Sequence, residues 1–292
     1  MEDLFTTQEE RDNEQLERVM LLPLSELRPF KDHPFKIQND EEMERIVESI
    51  RKVGVLAPGL ARPTADGGYE LVSGHRRLAA CQQLELETMP VVVREMTDDE
   101  AVIAMVDANL QREHILPSEK AFAYKMKLEA LSHQGQTSVQ LGQKSSRSIV
   151  ANDANTSETQ IQRFIRLTNL IPEILAKVDE SKIAFNPAVE LSYLSEEQQR
   201  ELLAAMEKNQ CTPSHAQAIQ LKRAAQAGML NNEAIQTLMQ QVKPNQQEQI
   251  KLRREDFRSF FPPHYTGEQI KRDILKGLEL LKRQRERSRD AR

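Results

Sequence analysis

The chain has 292 residues, 39% hydrophobic and 29% charged, with no tryptophan, two cysteines and a formal net charge of −5. That length allows two or three domains with a real core, and no apolar run approaches the roughly 20 residues of a membrane span. The acidic start MEDLFTTQEE is unlike a signal peptide, and Cys81 and Cys211 are too few and too far apart for a disulfide framework, so a reducing cytoplasm is expected. Residues 1–18 read as a loose acidic N-terminus. Val19 to Leu22 is a short strand, followed by a Pro- and aromatic-rich loop, ELRPFKDHPFKI. Met43, Ile46, Val47, Ile50 and Val53 recur at helical spacing, with Asn39 or Asp40 as cap and Gly54 as stop. APGLARP and YELVSG flank Asp66-Gly67-Gly68, which predicts a β-hairpin. A helix follows from about His75 to Leu84, then a β-branched strand, MPVVVREM.

Beyond that strand the β signal fades. Thr97 to Glu100 is a capping box opening a helix to about Asn109. Pro117-Ser118 starts another, with Ala121, Tyr124, Leu128 and Leu131 on one face, and SHQGQTSVQLGQKSS reads as a loop. The remainder reads as short helices broken at Pro172, Pro187, Pro213 and Pro244. From Lys271 to Arg292 nine Lys/Arg face four Asp/Glu, a tail suited to nucleic acid, an acidic partner or solvent alone. FFPPHYTGEQIKRDILKGLELL reads as one amphipathic helix behind an aromatic-proline anchor, without a clean heptad seam.

Two stretches carry chemistry. In LVSGHRRLAACQQL a strand meets a helix at Ser73-Gly74-His75-Arg76-Arg77. Unpaired helix-start N–H groups, a glycine that admits a ligand and two fork-shaped guanidinium groups suit phosphate. The alternative is that Arg76 and Arg77 sit in surface ion pairs. The second stretch, DANLQREHILP, crowds Asn109, Gln111, Arg112, Glu113 and His114 at a junction between helices. Downstream, SSRSIVANDANTSETQIQRFIRL reads as a helix-turn-helix: first helix from Ser146 to Ala154, turn at Asn155-Thr156, second helix opened by a Ser157–Gln160 capping box. Ile161, Phe164 and Ile165 face inward. Thr159, Gln160, Gln162, Arg163 and Arg166 lie on the outer, DNA-binding face, with Thr159, Gln160 and Arg163 placed for base edges and Lys144, Ser146, Arg147 and Arg166 for phosphates. An ordinary helical hairpin with a polar face is the other reading.

SGHRR…A followed by NLQRE…L.P.EKA.AY resembles the ParB partition-protein family, and LSELRPFKDHPFKI followed by IVESIRKVGVLAPGLARP is similar to that family's opening. The resemblance covers about residues 19–200. It implies an α+β chain: a ParB/sulfiredoxin-like nucleotide-binding domain over 19–114, a helix-turn-helix DNA-binding domain over 115–195 and a helical C-terminal region over 196–292 that dimerises. It implies CTP with Mg²⁺, double-stranded DNA carrying a centromere-like site, a ParA-type partition ATPase and a cytoplasmic, nucleoid- or plasmid-associated homodimer with no membrane. By the same resemblance Ser73, Gly74, His75, Arg76 and Arg77 contact the triphosphate. Asn109 and Arg112 serve nucleotide and metal, with Asn109 the metal residue, and His33, Pro34, Phe35 and Lys36 form the base loop. The chain departs from the family pattern where glutamates are usual, at His75 and Ala108, and where arginines are usual, at Ala79 and Phe35. A hard cation prefers oxygen ligands, so any CTPase activity would lack its usual carboxylates. A helix-turn-helix regulator of a plasmid or mobile element with a decayed pocket is the alternative. In the sulfiredoxin enzymes, which share this N-terminal fold, a cysteine directly follows the glycine; here it is His75, which argues against a redox enzyme.

Overall fold

The computed structural model describes residues 18–37, 39–112, 114–137, 146–240, 260–262 and 264–290. They fall into two units, Met1–Gln241 and Val242–Arg292. The first unit begins with a five-stranded mixed sheet of β1 (Val19–Pro23), β2 (Leu27–Pro29), β3 (Gly59–Pro63), β4 (Tyr69–Ser73) and β5 (Thr88–Val93), in the order β1-β5-β3-β4-β2. The β3–β4 pair is the expected antiparallel hairpin, closed where Gly67 and Gly68 take positive φ. Strand β2 lies inside the stretch read as a loop. It pairs parallel with β4, a partner 42 residues on at Leu27↔Tyr69, so no local pattern announces it.

Helices cover both faces of the sheet. On one side lie α1 (Glu41–Val53), capped by the Asp40 carboxylate accepting from the Met43 N–H, and α2 (His75–Gln83). Met43, Ile50, Leu78 and the buried Cys81 pack there against Leu71, Met89 and Val91. On the other side α3 (Asp98–Leu110), opened by the Thr97–Glu100 capping box, packs Ala101, Met105 and Val106 on Val72. Adjacent residues Leu71 and Val72 thus serve opposite cores, as strand alternation requires.

Helix α4 (Pro117–Thr137) is the axle of the unit. It runs through Ser132–Thr137, which the sequence assigned to a loop; residues 138–145 lie outside the described residues. Ala121 enters the core of the later helices, Ala123 the core under the sheet, and Tyr124 a third cluster with Val150, Ala151 and Ile161. Its apolar contacts lie on more than one face, while Phe122, Lys125 and Glu129 stay exposed, which explains why its sequence shows more than the single expected face. The third cluster seats α5 (Ser146–Asp153) and α6 (Glu158–Arg166). Then come α7 (Pro172–Asp179), α8 (Phe185–Leu191), α9 (Glu196–Asn209), α10 (His215–Gln226) and α11 (Asn232–Gln240). Their core is continuous from Ala121 to Met239 and spans residue 195 without a break. Pro172 sits at the first position of α7 and Pro187 in the first turn of α8, where a missing N–H is harmless; Pro244 lies outside the described residues.

In the second unit, α12 (Gly267–Asp290) is opened by Thr266 and Gln269, which bond to each other's backbone N–H. Leu275, Leu278, Leu280 and Leu281 are exposed on it. No helix among the described residues is long and apolar enough to cross a membrane.

Candidate nucleotide cavity and nucleic-acid interface

A cavity of about 560 Å³ opens where α1, α2, the α3–α4 junction and the end of α7 meet, within the size range of ligand pockets. Its cationic lining is Lys36, Arg76 and Arg112. The two motifs that lie far apart in sequence therefore each send one arginine to the same space. Arg76 Nη2 donates to Asp40 Oδ1 and Nη1 to Glu42 Oε2, at 2.5 and 2.6 Å, while its buried Nε–H has no partner. Arg112 lies over the ring of Phe35, 5.7 Å from the centroid. Phe35 itself is buried in the core under the sheet.

Sequence reasoning missed the acids of this lining, Asp40, Glu41, Glu42, Glu119 and Asp179. The buried Glu119 carboxylate accepts the backbone N–H of Lys36 and of Leu116, at 2.8 and 3.0 Å, tying the base loop to the start of α4. Asp179, at the end of α7, accepts from the Ser118 N–H and hydroxyl at 3.0 and 2.6 Å and lies 3.7 Å from Lys36 Nζ. Asp40 belongs to the same set. Glu119 had a local signal, an acid in the first turn of a helix. Asp179 had none, since its partner is 61 residues away.

The rest of the expected phosphate cradle is built into the fold. Gly74 caps α2 at φ +107°, and a Cβ there would lie 3.2 Å from the Gly59 Cα and from Arg77 Nη2. Arg77 turns away from the cavity lining and donates to the carbonyls of Ala57 and Pro58 at 2.5 and 2.7 Å. Carbonyls exposed where the chain enters β3 hold the second arginine of the motif, so the structure brings Arg76 and not Arg77 to the cavity. Ser73, Gly74, His33 and Pro34 are not among the residues that line the cavity.

His75, in the place of the usual glutamate, is buried. Its Nε2 accepts the Phe30 N–H at 3.2 Å, and its ring lies 3.9 Å from that of His33. Burial, then the neighbouring His33 and Arg112, push its pKa down to about 3, so it is neutral at ordinary pH and pins the loop after β2 to the start of α2. Burial likewise lowers His33, whose Nδ1 bonds to the Phe35 carbonyl at 2.8 Å.

A Mg²⁺ centred on Asn109 does not fit. The Asn109 side chain is 4% exposed, and its amide donates to the Met105 carbonyl of its own helix, at 2.7 Å. The adjacent Asp107 is bonded to Lys127. Neither lines the cavity, and the described residues contain no cluster of three or more His, Cys, Asp or Glu able to hold a metal. A nucleotide's phosphates do fit the charge of Lys36, Arg76 and Arg112.

Helices α5 and α6 form the expected helix-turn-helix. Asn155 takes the left-handed conformation at the turn, the Thr156 N–H bonds back to the Ala151 carbonyl, and Ser157 caps α6 through the Gln160 N–H. Ser148 Oγ donates to Glu158 Oε1, joining the two helices. Thr159 and Gln162 are exposed on α6, Gln160 and Ser146 half-buried, and Arg147 exposed. Lys144 lies outside the described residues.

The two arginines of α6 differ from the simple outward pattern. Arg163 reaches α8, bonding Asn186 Oδ1 at 2.5 Å and lying 5.1 Å over the Phe185 ring. Arg166, expected at a phosphate, does not extend outward from α6. It turns onto Ser192, with Nε on the hydroxyl at 3.2 Å and Nη2 on the carbonyl at 3.0 Å, and stacks 3.5 Å from the centroid of Tyr193. It thereby joins the end of α6 to the end of α8.

Residues 8–110 match the ParB N-terminal domain. The chain is 36% identical over 179 residues to a chromosome-partitioning protein Spo0J of Thermus thermophilus, covering 61% of each chain. It spans under two thirds of the length of the curated relatives it matches. Among solved structures, a C-terminally truncated ParB of Caulobacter crescentus complexed to the centromeric parS site overlaps 75% of this chain and 98% of its own, with 21% identity and a TM-score of 0.42. The same truncated protein complexed with CTP-gamma-S overlaps 60% and 92%, with 26% identity and a TM-score of 0.31. Residues 8–110 thus carry a ParB N-terminal domain, and the similarity of the chain to a chromosome-partitioning protein runs beyond the length of that domain.

Proposed function

We propose that the chain is a DNA-binding partition protein that takes a nucleoside triphosphate, CTP by family resemblance, in the cavity beside Arg76, and a centromere-like duplex on α5–α6. The observation that carries the reading is the meeting of Arg76 and Arg112 at one cavity directly joined to the helix that seats the helix-turn-helix. In it Lys36, Arg76 and Arg112 hold the phosphates, while Thr159, Gln160, Gln162 and Arg163 face base edges, and Ser146 and Arg147 face the backbone. The triphosphate supplies negative charge that competes with Asp40 and Glu42 for Arg76. A homodimer through α12, whose leucines are exposed, and a ParA-type ATPase partner on a nucleoid or plasmid complete the reading. With His75 neutral and bonded to backbone, hydrolysis has no carboxylate at that position.

The test is equilibrium dialysis of the full chain with labelled CTP, with and without a parS duplex. Retention of CTP and of the duplex is the expected result. A second reading, a helix-turn-helix regulator with a decayed pocket, is favoured by one observation: both motif arginines already have partners, Arg76 two carboxylates and Arg77 two carbonyls. Duplex binding with no CTP retained at millimolar concentration would decide for it. Loss of both would overturn the DNA-binding proposal itself.

A further inference from the structure

Lys127 is among the largest fully buried side chains of the described residues, 1% exposed in the middle of α4. Its ammonium bonds Asp107 Oδ1 at 2.5 Å and Asp153 Oδ2 at 2.6 Å. Those acids stand on different helices. Asp107 is on α3, whose end leads into the cavity residue Arg112, and Asp153 is the last residue of α5, just before the turn of the helix-turn-helix. Each carboxylate is nearly half exposed. Burying a lysine is costly, and an apolar side chain of similar volume usually serves a core as well or better. What an apolar side chain does not do is bring two carboxylates together. Without the ammonium they are like charges held close, each with water available on its open side.

We infer that Lys127 is a positioning residue: its ammonium, bridging Asp107 and Asp153, sets the helix-turn-helix against the cavity-bearing domain in the geometry that grips DNA. The inference rests on the DNA-binding half of the reading above. Apolar packing of Tyr124, Val150 and Ile161 fixes that α5 and α6 lie on α4. The ion bridge fixes the orientation of α5 relative to α3, because a charge pair has a defined geometry where methyl contacts tolerate sliding.

The test compares the full-length wild type with Lys127→Met, Asp107→Asn and Asp153→Asn. Hydrogen exchange of the DNA-free proteins is read alongside affinity for a parS duplex and for a scrambled duplex. Amides of residues 146–166 are expected to exchange at least about tenfold faster in all three variants, with amides of β3 and β4 unchanged. Affinity for whichever duplex the wild type binds is expected to fall about tenfold. Asp107→Asn is the telling variant, since that side chain lies outside the helix-turn-helix and keeps its size, so the fold survives. Unchanged exchange over 146–166 overturns the inference. So does acceleration spread equally over the sheet, which would mean only lost stability, and so does local acceleration with duplex affinity within twofold of wild type. Wild type binding neither duplex would overturn the proposed function, while the exchange measurement, which needs no DNA, still decides whether Lys127 orients α5.

Discussion

The cavity and the reading helix use arginine in opposite ways. At the cavity, Arg76 is held by two carboxylates, Asp40 and Glu42. On α6, Arg163 and Arg166 rest on neutral groups: an amide, a hydroxyl, a carbonyl and aromatic rings. An anion arriving at Arg76 would displace two carboxylates, whereas a base edge arriving at Arg163 would displace only neutral hydrogen bonds to Gln160 and Asn186. The difference teaches that a ligand at the cavity has like charge to displace, while a ligand on α6 has none.

Acid should separate the two regions most sharply. His75 has a folded pKa of about 3, against about 6.5 when unfolded, so its neutral form favours the fold. Its contribution is complete above pH 6.5 and is lost as pH falls from 6.5 toward 3, at roughly 1.4 kcal/mol per unit. Hydrogen exchange at pH 7 and 4.5 should show the sheet weakening well before α5–α6, and His75→Gln should flatten that acid dependence. Equal acid sensitivity in both regions, or an unaltered dependence in the variant, would remove the distinction.

Next in size, Arg163→Ala should weaken specific duplex binding by about 1–3 kcal/mol, measured by fluorescence anisotropy; unchanged affinity would mean that its bond to Asn186 is its whole role. The double variant Asp40→Asn with Glu42→Gln frees Arg76 while asparagine still caps α1. Calorimetry should then show CTP binding about tenfold tighter, roughly 1.4 kcal/mol, and no gain would show that the acids do not compete with the ligand. Arg166→Ala is the smallest on DNA, with affinity within about threefold. It should lower stability by about 1 kcal/mol, read by denaturant melts, because it removes the link from α6 to Ser192 and Tyr193. A large loss of DNA affinity at unchanged stability would return Arg166 to the phosphate-contacting set.

The parts of the fold that were legible are those set by neighbours in sequence. The Thr97–Glu100 box, the Asp40 cap and the Gly67-Gly68 turn join groups within a few residues, and each formed as read; of the Ser157–Gln160 box only the Ser157 half formed, its hydroxyl accepting the Gln160 N–H. The ParB-like motifs pointed to Arg76 and Arg112, and both line the cavity. Asn109 and Arg77 were credited with ligand contacts because residue type alone does not reveal that a backbone carbonyl has already claimed the side chain.

By itself, the sequence determined the α+β class, the order of most elements, the ParB-like N-terminal domain and the helix, turn and helix over 146–166, because periodicity, caps and motif spacing act over short stretches of chain. Tertiary structure alone decided which charges meet. Arg76 finds Asp40, Asp179 finds Ser118, and Lys127 finds Asp107 and Asp153 across 20 to 61 residues. Hydrophobic patterning fixes which faces are buried but is indifferent to charge pairing. A lysine in a helix reads as solvent-facing until the packing of three helices around it leaves two carboxylates as its partners.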